Sequence, residues 1–189
     1  MTTKLIGLAV DSVLKPHKFV RKRFTWNRKA GVFIDVVDVQ LSKSRDMVTV
    51  NTGVFHREIY ARCWSEEPPD FIQEPLCIVR ARVGQLIDNE DVWWELTDAH
   101  SVEDMKAKIA TYVLSYLDKM HSFEAMDQFL TKMGVLKAKY PPPIIYLALL
   151  KSTLGDVAGS LEVLENLKTS SKEWNDRIEK IITLIKDRT

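Results

Sequence analysis

Histidine and cysteine are the side chains that most often hold a metal ion, and the candidates in this chain are His56, Cys63, Cys77 and His100. Their spacing forms neither an HExxH motif nor a CxxC pair, the arrangements that place two ligands on one ion. Phosphate-binding loops of the GxGxxG or GxxxxGKS type are also missing from the sequence. We therefore expect no metal and no cofactor, and interpret the four residues as surface histidines and core cysteines.

Catalysis by a nucleophile needs a reactive side chain beside a base, and the sequence offers weak candidates for both. Ser160 lies inside a helical pattern, and Cys77 alternates with apolar residues that face a core. Asp35 and Asp38 are three residues apart on one predicted strand, so they point to opposite faces and do not act on one atom. These residues carry no catalytic signature. A small hydrolase or transferase stays open, because catalytic residues can be distant in sequence.

One face of the predicted sheet carries guanidinium and amide groups that could recognise a ligand. Arg80 and Arg82 project from the same face of one strand, and two guanidiniums at this spacing can bind a carboxylate or a phosphate. The alternative is that they pair with acids such as Glu95 and stabilise the solvated side of the sheet. The candidate binding residues are Arg80, Arg82, Asn51, Gln40 and Trp64.

A basic stretch near the N-terminus predicts a second kind of surface. Residues 12–34 contain lysines and arginines but no acid, and Phe19, Phe24 and Trp26 are interleaved with them. Aromatic rings among cations can stack on bases and neutralise phosphates, whereas in an amphipathic strand the same rings would simply face the core. The candidate nucleic-acid residues are Lys18, Arg21, Lys22, Arg23 and Arg28.

The elements that position these residues follow from hydrophobic periodicity. The 189 residues, of which 46% are hydrophobic, suffice for one domain with an appendage. A helix is expected over 2–14, and alternating patterns predict strands over 18–29, 32–42, 46–56, 76–86 and 92–97. Pro68, Pro69 and Pro75 predict an irregular, mobile segment over 61–75. We expect an α+β fold, with the N-terminal helix on an antiparallel sheet of about five strands joined as a meander.

From Ser101 onward the apolar period becomes helical, and helices are predicted to the end of the chain. Two of them, on either side of Gly155, form a predicted helical hairpin. The longest apolar run, residues 144–150, is far shorter than the roughly 20 residues that span a membrane. Since residues 1–10 also lack a cleavage site and the two cysteines form no scaffold, we expect a cytoplasmic protein without a membrane partner.

Four sequence motifs follow one another in a fixed order: PHKFVRKRFTWNR (16–28), VVDVQLSKS (36–44), VTVNTGVF (48–55) and CIVRARVG (77–84). Together with Trp93-Trp94 they resemble the bacterial family called domain of unknown function 4304. The resemblance covers roughly residues 1–120, which implies an α+β domain followed by a helical extension, residues 121–189, packed on it. Lys18 and Arg23 stand where the family often has glycine, Asn27 where it has an aromatic residue, and Ile78 where it has histidine.

The missing active-site motifs and the long acidic loop over 61–75, beside a sheet edge, together favour a non-catalytic module that binds another protein, in the manner of an immunity or adaptor protein. This expectation rests on analogy for the biological role, since the family itself is defined without a function. The alternative is a nucleic-acid-binding protein that uses the basic residues 15–29.

Overall fold

The computed structural model describes the backbone of residues 3–187 and the side chains of residues 5–187. The first residue of the predicted N-terminal helix, Thr2, lies outside the described residues. The chain divides into two compact units. The first unit runs to Phe55 and resumes over Pro69–His121, and the second comprises His56–Pro68 and the chain from Ser122 onward.

The strands of the described residues are β1 Val20–Lys22, β2 Thr25–Ala30, β3 Phe33–Leu41, β4 Met47–His56, β5 Val79–Arg82 and β6 Trp94–Glu95. The α-helices are α1 Thr3–Leu14, α2 Arg57–Trp64, α3 Val83–Ile87, α4 Ala99–Lys108, α5 Leu114–Lys119, α6 Phe123–Lys132, α7 Pro141–Thr153, α8 Val157–Ser170 and α9 Asn175–Lys186. A π-helical turn, Ile109–Val113, joins α4 to α5. The N-terminal helix, antiparallel sheet and C-terminal helices confirm the predicted α+β class.

The sheet follows the order β1-β2-β3-β4-β5, and β6 pairs with β4. The first predicted strand is in fact two strands, because the chain turns at Arg23, whose φ is 59°. The predicted strand over 76–86 was too long, since β5 ends at Arg82 and the chain continues directly into helix α3. The simple meander was wrong at its last step, where β6 lies beside β4.

Helix α1 and strand β2 are joined by a polar contact inside the first unit. Ile6, Val10 and Leu14 of the helix are fully buried, as is Trp26 of the strand. The Trp26 indole Nε1 donates a hydrogen bond of 2.8 Å to Asp11. A buried carboxylate needs such partners, so this bond fixes the helix at one position along the strand.

The second unit is built from helices. The helical hairpin predicted around Gly155 is confirmed as α7 and α8, and the Ser160 hydroxyl donates to the backbone carbonyl of Ala148 across it. Helix α7 begins three residues earlier than its apolar run, at Pro141, because prolines fit the first turn of a helix, where the amide has no helical partner. Among residues 3–187, none of the helices combines the length and apolar character that crossing a bilayer requires.

Candidate functional site

The first unit carries a polar cleft of about 440 Å³ beside the end of strand β5. It is lined by Asn51, Glu74, Arg80, Ala81, Arg82, Gln85, Asn89, Glu90 and Asp91. Three of the five binding residues predicted from the sequence therefore line one surface, and no residue of the basic stretch lines it.

Strand pairing explains why the two arginines reach this cleft. In the register of β4 with β5, Asn51 lies opposite Arg82 and Gly53 lies opposite Arg80. Val79 and Ala81 are buried while the arginines point outward, as the alternation predicted. Gly53 permits the close approach of the strands, because a Cβ at this position would lie 2.6 Å from the carbonyl oxygen of Val79.

The predicted gathering of amides and guanidinium on this face is confirmed for Gln40, Asn51 and Arg82. The Asn51 Nδ2 donates to Gln40 Oε1 at 3.0 Å, and Arg82 Nε donates to Asn51 Oδ1 at 3.3 Å. Arg82 Nη2 also lies 3.5 Å from Gln40 Oε1. The Arg82 side chain is thus held in one orientation by groups from two neighbouring strands.

Arg80 and Arg82 are both ion-paired, with acids in very different environments. Arg80 donates through Nε and Nη2 to the two carboxylate oxygens of Glu74, at 2.7 and 2.8 Å, and the Glu74 side chain is only 7% exposed. Arg82 donates through Nη1 to Asp91 at 2.8 Å, and Asp91 is 66% exposed. Glu95, the acid expected from the sequence to pair here, lies in β6 opposite Met47.

The half-buried carboxyl group of Asp38 lies near Glu74 but does not line the cleft. The sequence suggested it only as a possible partner of Asp35. Thr25 donates its hydroxyl to Asp38 at 2.7 Å. Burial raises the pKa of the Asp38 carboxyl, and the nearby Glu74 carboxylate raises it further, whereas hydrogen bonds from Thr25 and Asn51 act in the opposite direction. Asp38 could have been found from the sequence, because it precedes Gln40 by two residues and so shares its face.

The segment that carries Glu74 is tied to the sheet. Asn27 binds the backbone of Ile72 twice, donating to its carbonyl at 2.9 Å and accepting from its amide at 2.7 Å. The side chains of Thr25 and Gln73 lie 3.4 Å apart, and Ile72 is fully buried. The prediction of an irregular segment over 61–75 was wrong at its N-terminal end, because residues 61–64 belong to helix α2. Residues 65–73 form neither helix nor strand, as predicted, and Asn27 anchors this part at Ile72.

The opposite wall of the cleft is formed by α3 and the loop after it. The Glu90 amide donates to the carbonyl of Gly84 at 3.1 Å. A Cβ on Gly84 would lie 1.9 Å from the carbonyl oxygen of Glu90, so only glycine allows this approach. The Gln85 side chain accepts the Arg82 amide at 2.7 Å, which closes the turn from strand to helix.

Trp64, the fifth predicted binding residue, belongs to the second unit. It ends helix α2, and its indole donates to the Tyr146 hydroxyl at 2.8 Å. The guanidinium of Arg177 lies 5.5 Å from the Trp64 ring and 5.4 Å from that of Trp174, which is cation–π geometry. These contacts give Trp64 a packing role within its own unit.

The basic stretch forms the turns and the edge strand at one side of the sheet. Lys18 and Arg23 adopt left-handed backbone conformations, with φ of 66° and 59°. Arg21 pairs with Asp11 at 3.5 Å, and the Lys22 ammonium lies 5.8 Å from the ring of Phe71. Their side chains are exposed, which a phosphate-binding surface requires.

Arg28, the last residue of the basic set, is held in a buried ion-pair network. It donates to the buried Asp35 at 2.6 Å and to Asp118 at 2.5 Å. His121 Nε2 lies 2.7 Å from the second oxygen of Asp35, and its ring stacks on Phe33. Asp35 and Arg28 therefore neutralise one another, and His121 is a contact that sequence reasoning missed because it lies far along the chain.

The candidate metal ligands lie in structural environments. His56 caps helix α2, where its Nδ1 accepts the Ile59 amide at 3.4 Å, and burial lowers its pKa. Cys63 is buried, which raises the pKa of its thiol to about 12, and Cys77 is buried too. His100 is exposed in the first turn of α4. Within the described residues, no three His, Cys, Asp or Glu side chains form a cluster that could hold a metal ion.

Comparison with known proteins shows to which family the chain belongs. Residues 10–119 match the domain of unknown function DUF4304. The chain belongs to this family. No curated protein and no solved structure matches the chain. The match ends at the last residue of α5, so it spans the whole sheet and every residue that lines the polar cleft.

Backbone angles and burial bear on three of the departures noted in the sequence, Lys18, Arg23 and Ile78. Lys18 and Arg23 occupy left-handed turns, the conformation in which glycine has no steric cost, so glycine is the expected residue at both positions. Ile78, where histidine is expected, is a buried apolar side chain at 2% exposure. A function that depended on that histidine would have no proton carrier at position 78 of this chain.

Proposed function

We propose that this chain is a non-catalytic protein-binding module whose recognition surface is the polar cleft. The observation that carries the proposal is the orientation of Arg82, which Asn51, Gln40 and Asp91 fix at an open surface. An immobilised guanidinium loses little conformational freedom on binding, so its hydrogen bonds contribute more to affinity.

The composition of the cleft lining supports binding over catalysis. Within the described part of the chain, the residues that line the cleft include no serine, cysteine, histidine or lysine. Hydrogen bonds from Trp93 and Arg82 lower the pKa of Asp91, which disfavours proton transfer by this group, and both carboxylate oxygens of Glu74 accept hydrogen bonds from Arg80. Fixed donors and acceptors without a nucleophile are what a recognition surface needs.

The test is recovery of a partner that depends on Arg82. The tagged full chain is expressed in its native host, mild cross-linking preserves weak complexes, and bound proteins are quantified by mass spectrometry. Arg82→Ala should lose the partner, and the matched control Arg57→Ala, an exposed arginine at the start of α2, should keep it. A partner retained equally by both variants, or no partner with the unmodified chain, contradicts the proposal.

We also propose that the module works in the bacterial cytoplasm. Cys63 and Cys77 are both buried and form no disulfide, which is usual for proteins in a reducing compartment. Fractionation of the native host, with detection in the soluble cytoplasmic fraction, tests the location. Recovery from the periplasm or the medium contradicts it.

A second candidate function is nucleic-acid binding at the basic stretch, favoured by the exposure of Lys18, Lys22 and Arg23 around β1. Fluorescence anisotropy with a 20-nucleotide single strand should then show binding that weakens steeply between about 50 and 200 mM salt. The double variant Lys22→Glu with Arg23→Glu should reduce the salt slope by about 1 to 2. Binding that does not change with salt eliminates this candidate.

A further inference from the structure

The guanidinium of Arg82 is fixed on three sides and closed on the fourth by a carboxylate of the same chain. Asn51 and Gln40 hold it from the sheet, and the ring of Trp93 lies 5.5 Å away in cation–π geometry. The fourth side faces Asp91, which accepts the Nη1 hydrogen bond at 2.8 Å. Asp91 therefore occupies the position at which a carboxylate from another molecule would bind this guanidinium.

Asp91 is held in a way that permits exchange. It lies in the loop before β6, its side chain is 66% exposed, and its other oxygen accepts the Trp93 indole at 3.0 Å. Exposed ion pairs contribute little to stability, since water solvates either partner when they separate. Glu74 on Arg80 differs, because its carboxylate is almost entirely buried and would lose there the two hydrogen bonds that neutralise it.

The charges that line the cleft are also compatible with the exchange of the Asp91 carboxylate for a carboxylate of another molecule. The lining contains Arg80 and Arg82 against Glu74, Glu90 and Asp91. Once Asp91 moves away, two arginines and two glutamates remain, so the formal charges of the lining cancel. A carboxylate from a partner would restore the charge that the closed cleft has, whereas a cationic group would face Arg82 without its acid.

We propose that the partner of the polar cleft presents an acidic side chain whose carboxylate binds Arg82 in place of Asp91. This inference rests on the proposed function, and it names the chemistry of the partner. Asp91 is then an internal competitor that lowers affinity for weakly complementary acids. Affinity should rise when that competitor is removed, which gives the inference a direct test.

The test uses the full chain and an acetylated hexaglutamate peptide, with hexaglutamine as the uncharged probe. Titration should move the NMR signals of the Arg82 Nε–H and the Trp93 indole N–H. Asp91→Asn should bind hexaglutamate about five-fold more tightly, which is the size expected for losing one exposed ion pair. Asp88→Asn, an exposed acid three residues earlier, is the matched control for net charge and should change affinity by less than about two-fold.

Several outcomes overturn the inference. Arg82 signals that do not move, or equal tightening by Asp91→Asn and Asp88→Asn, show that no exchange occurs. Inorganic phosphate that binds as tightly, and responds to Asp91→Asn in the same way, shows that the site does not select a carboxylate. Arg82→Gln should abolish the shift of the Trp93 indole N–H while the rest of the spectrum stays native.

The failure of this inference is separable from failure of the proposed function. If a partner is recovered in an Arg82-dependent manner but hexaglutamate does not bind, the inference of an acidic partner is wrong and the proposed protein-binding function is retained. Hexaglutamate binding in a chain that recovers no partner refutes the module instead.

Discussion

Arg80 and Arg82 occupy equivalent positions on one strand, and we predict that their removal has unequal effects on stability. Arg80→Ala leaves the Glu74 carboxylate, 7% exposed, without the two hydrogen bonds that neutralise it. Arg82→Ala leaves Asp91, which is 66% exposed and already solvated. The first substitution should therefore be strongly destabilising and the second nearly neutral.

The magnitude for Arg80→Ala follows from the exposure of its two ends. Opposite charges about 4 Å apart attract by about 1 kcal/mol in water and about 4 kcal/mol at an effective dielectric constant near 20. Arg80 is half exposed and Glu74 is buried, so solvent screens the pair partly and the attraction lies between these limits. We expect a loss of about 2 kcal/mol in the free energy of unfolding for Arg80→Ala, and a clearly smaller loss for Arg82→Ala.

The assay must report on the unit that contains the pair. Hydrogen exchange of amides in β4 and β5, measured across a urea series, gives the free energy of unfolding of this unit alone. Glu74→Gln is the companion variant, because the neutral amide keeps the shape and removes the buried charge. Adding Glu74→Gln to Arg80→Ala should recover about half of the loss. Equal costs for Arg80→Ala and Arg82→Ala, or no recovery in the double variant, would refute the reasoning.

Further predictions concern the backbone and one histidine. Gly53→Ala should destabilise the first unit by about 2 kcal/mol in urea denaturation, because its Cβ would crowd the Val79 carbonyl oxygen. Lys18→Gly and Arg23→Gly should each stabilise it by about 0.5 kcal/mol in the same assay, since both residues have positive φ. Burial lowers the pKa of His56, so the unfolded chain binds its proton first as the pH falls. The stability of the second unit should therefore decrease below about pH 6.5, and His56→Asn should flatten the curve measured between pH 5 and 8.

Each of these predictions has a result that contradicts it. An alanine tolerated at position 53 would mean that β4 and β5 can separate without cost. A loss of stability in Lys18→Gly or Arg23→Gly would mean that side-chain contacts there outweigh backbone strain. Stability of the second unit that is constant, or that rises, as the pH falls from 7.5 to 5 would show that His56 does not need its neutral form to cap α2.

Local patterns in the sequence were sufficient to predict the face of the sheet. Period-two alternation placed Arg80 and Arg82 outward, and the assumption that the strands pair in simple order put Asn51 on the same face with Gln40 nearby. Alternation is a property of a single strand, so it can be read without knowledge of its neighbours. The same rule applied to β3 would also have found Asp38, which was considered only as a possible partner of Asp35.

The order of strands and the ion-pair partners depend on contacts between distant segments, which a local pattern does not contain. β6 follows β5 in the chain but pairs with β4, because the chain turns into α3 directly after Arg82. Glu74 reaches Arg80 only because Asn27, far earlier in the chain, holds the backbone of Ile72. No sequence motif indicates either contact. Asparagine and glutamate are usually exposed in proteins, so the sequence gives no sign that Asn27 and Glu74 make structural contacts.

The segment that contains Ile72 and Glu74, here named the strap, determines which arginine is available for recognition. Asn27 fixes its backbone and Arg80 neutralises its carboxylate, so the strap cannot leave the sheet without uncovering a buried charge. Arg80 is therefore needed for the stability of the fold. Arg82 can change partners, because its ion-pair partner Asp91 is exposed to solvent. A partner that binds this cleft should therefore discriminate through Arg82, while substitutions at Arg80 should act on affinity only through stability.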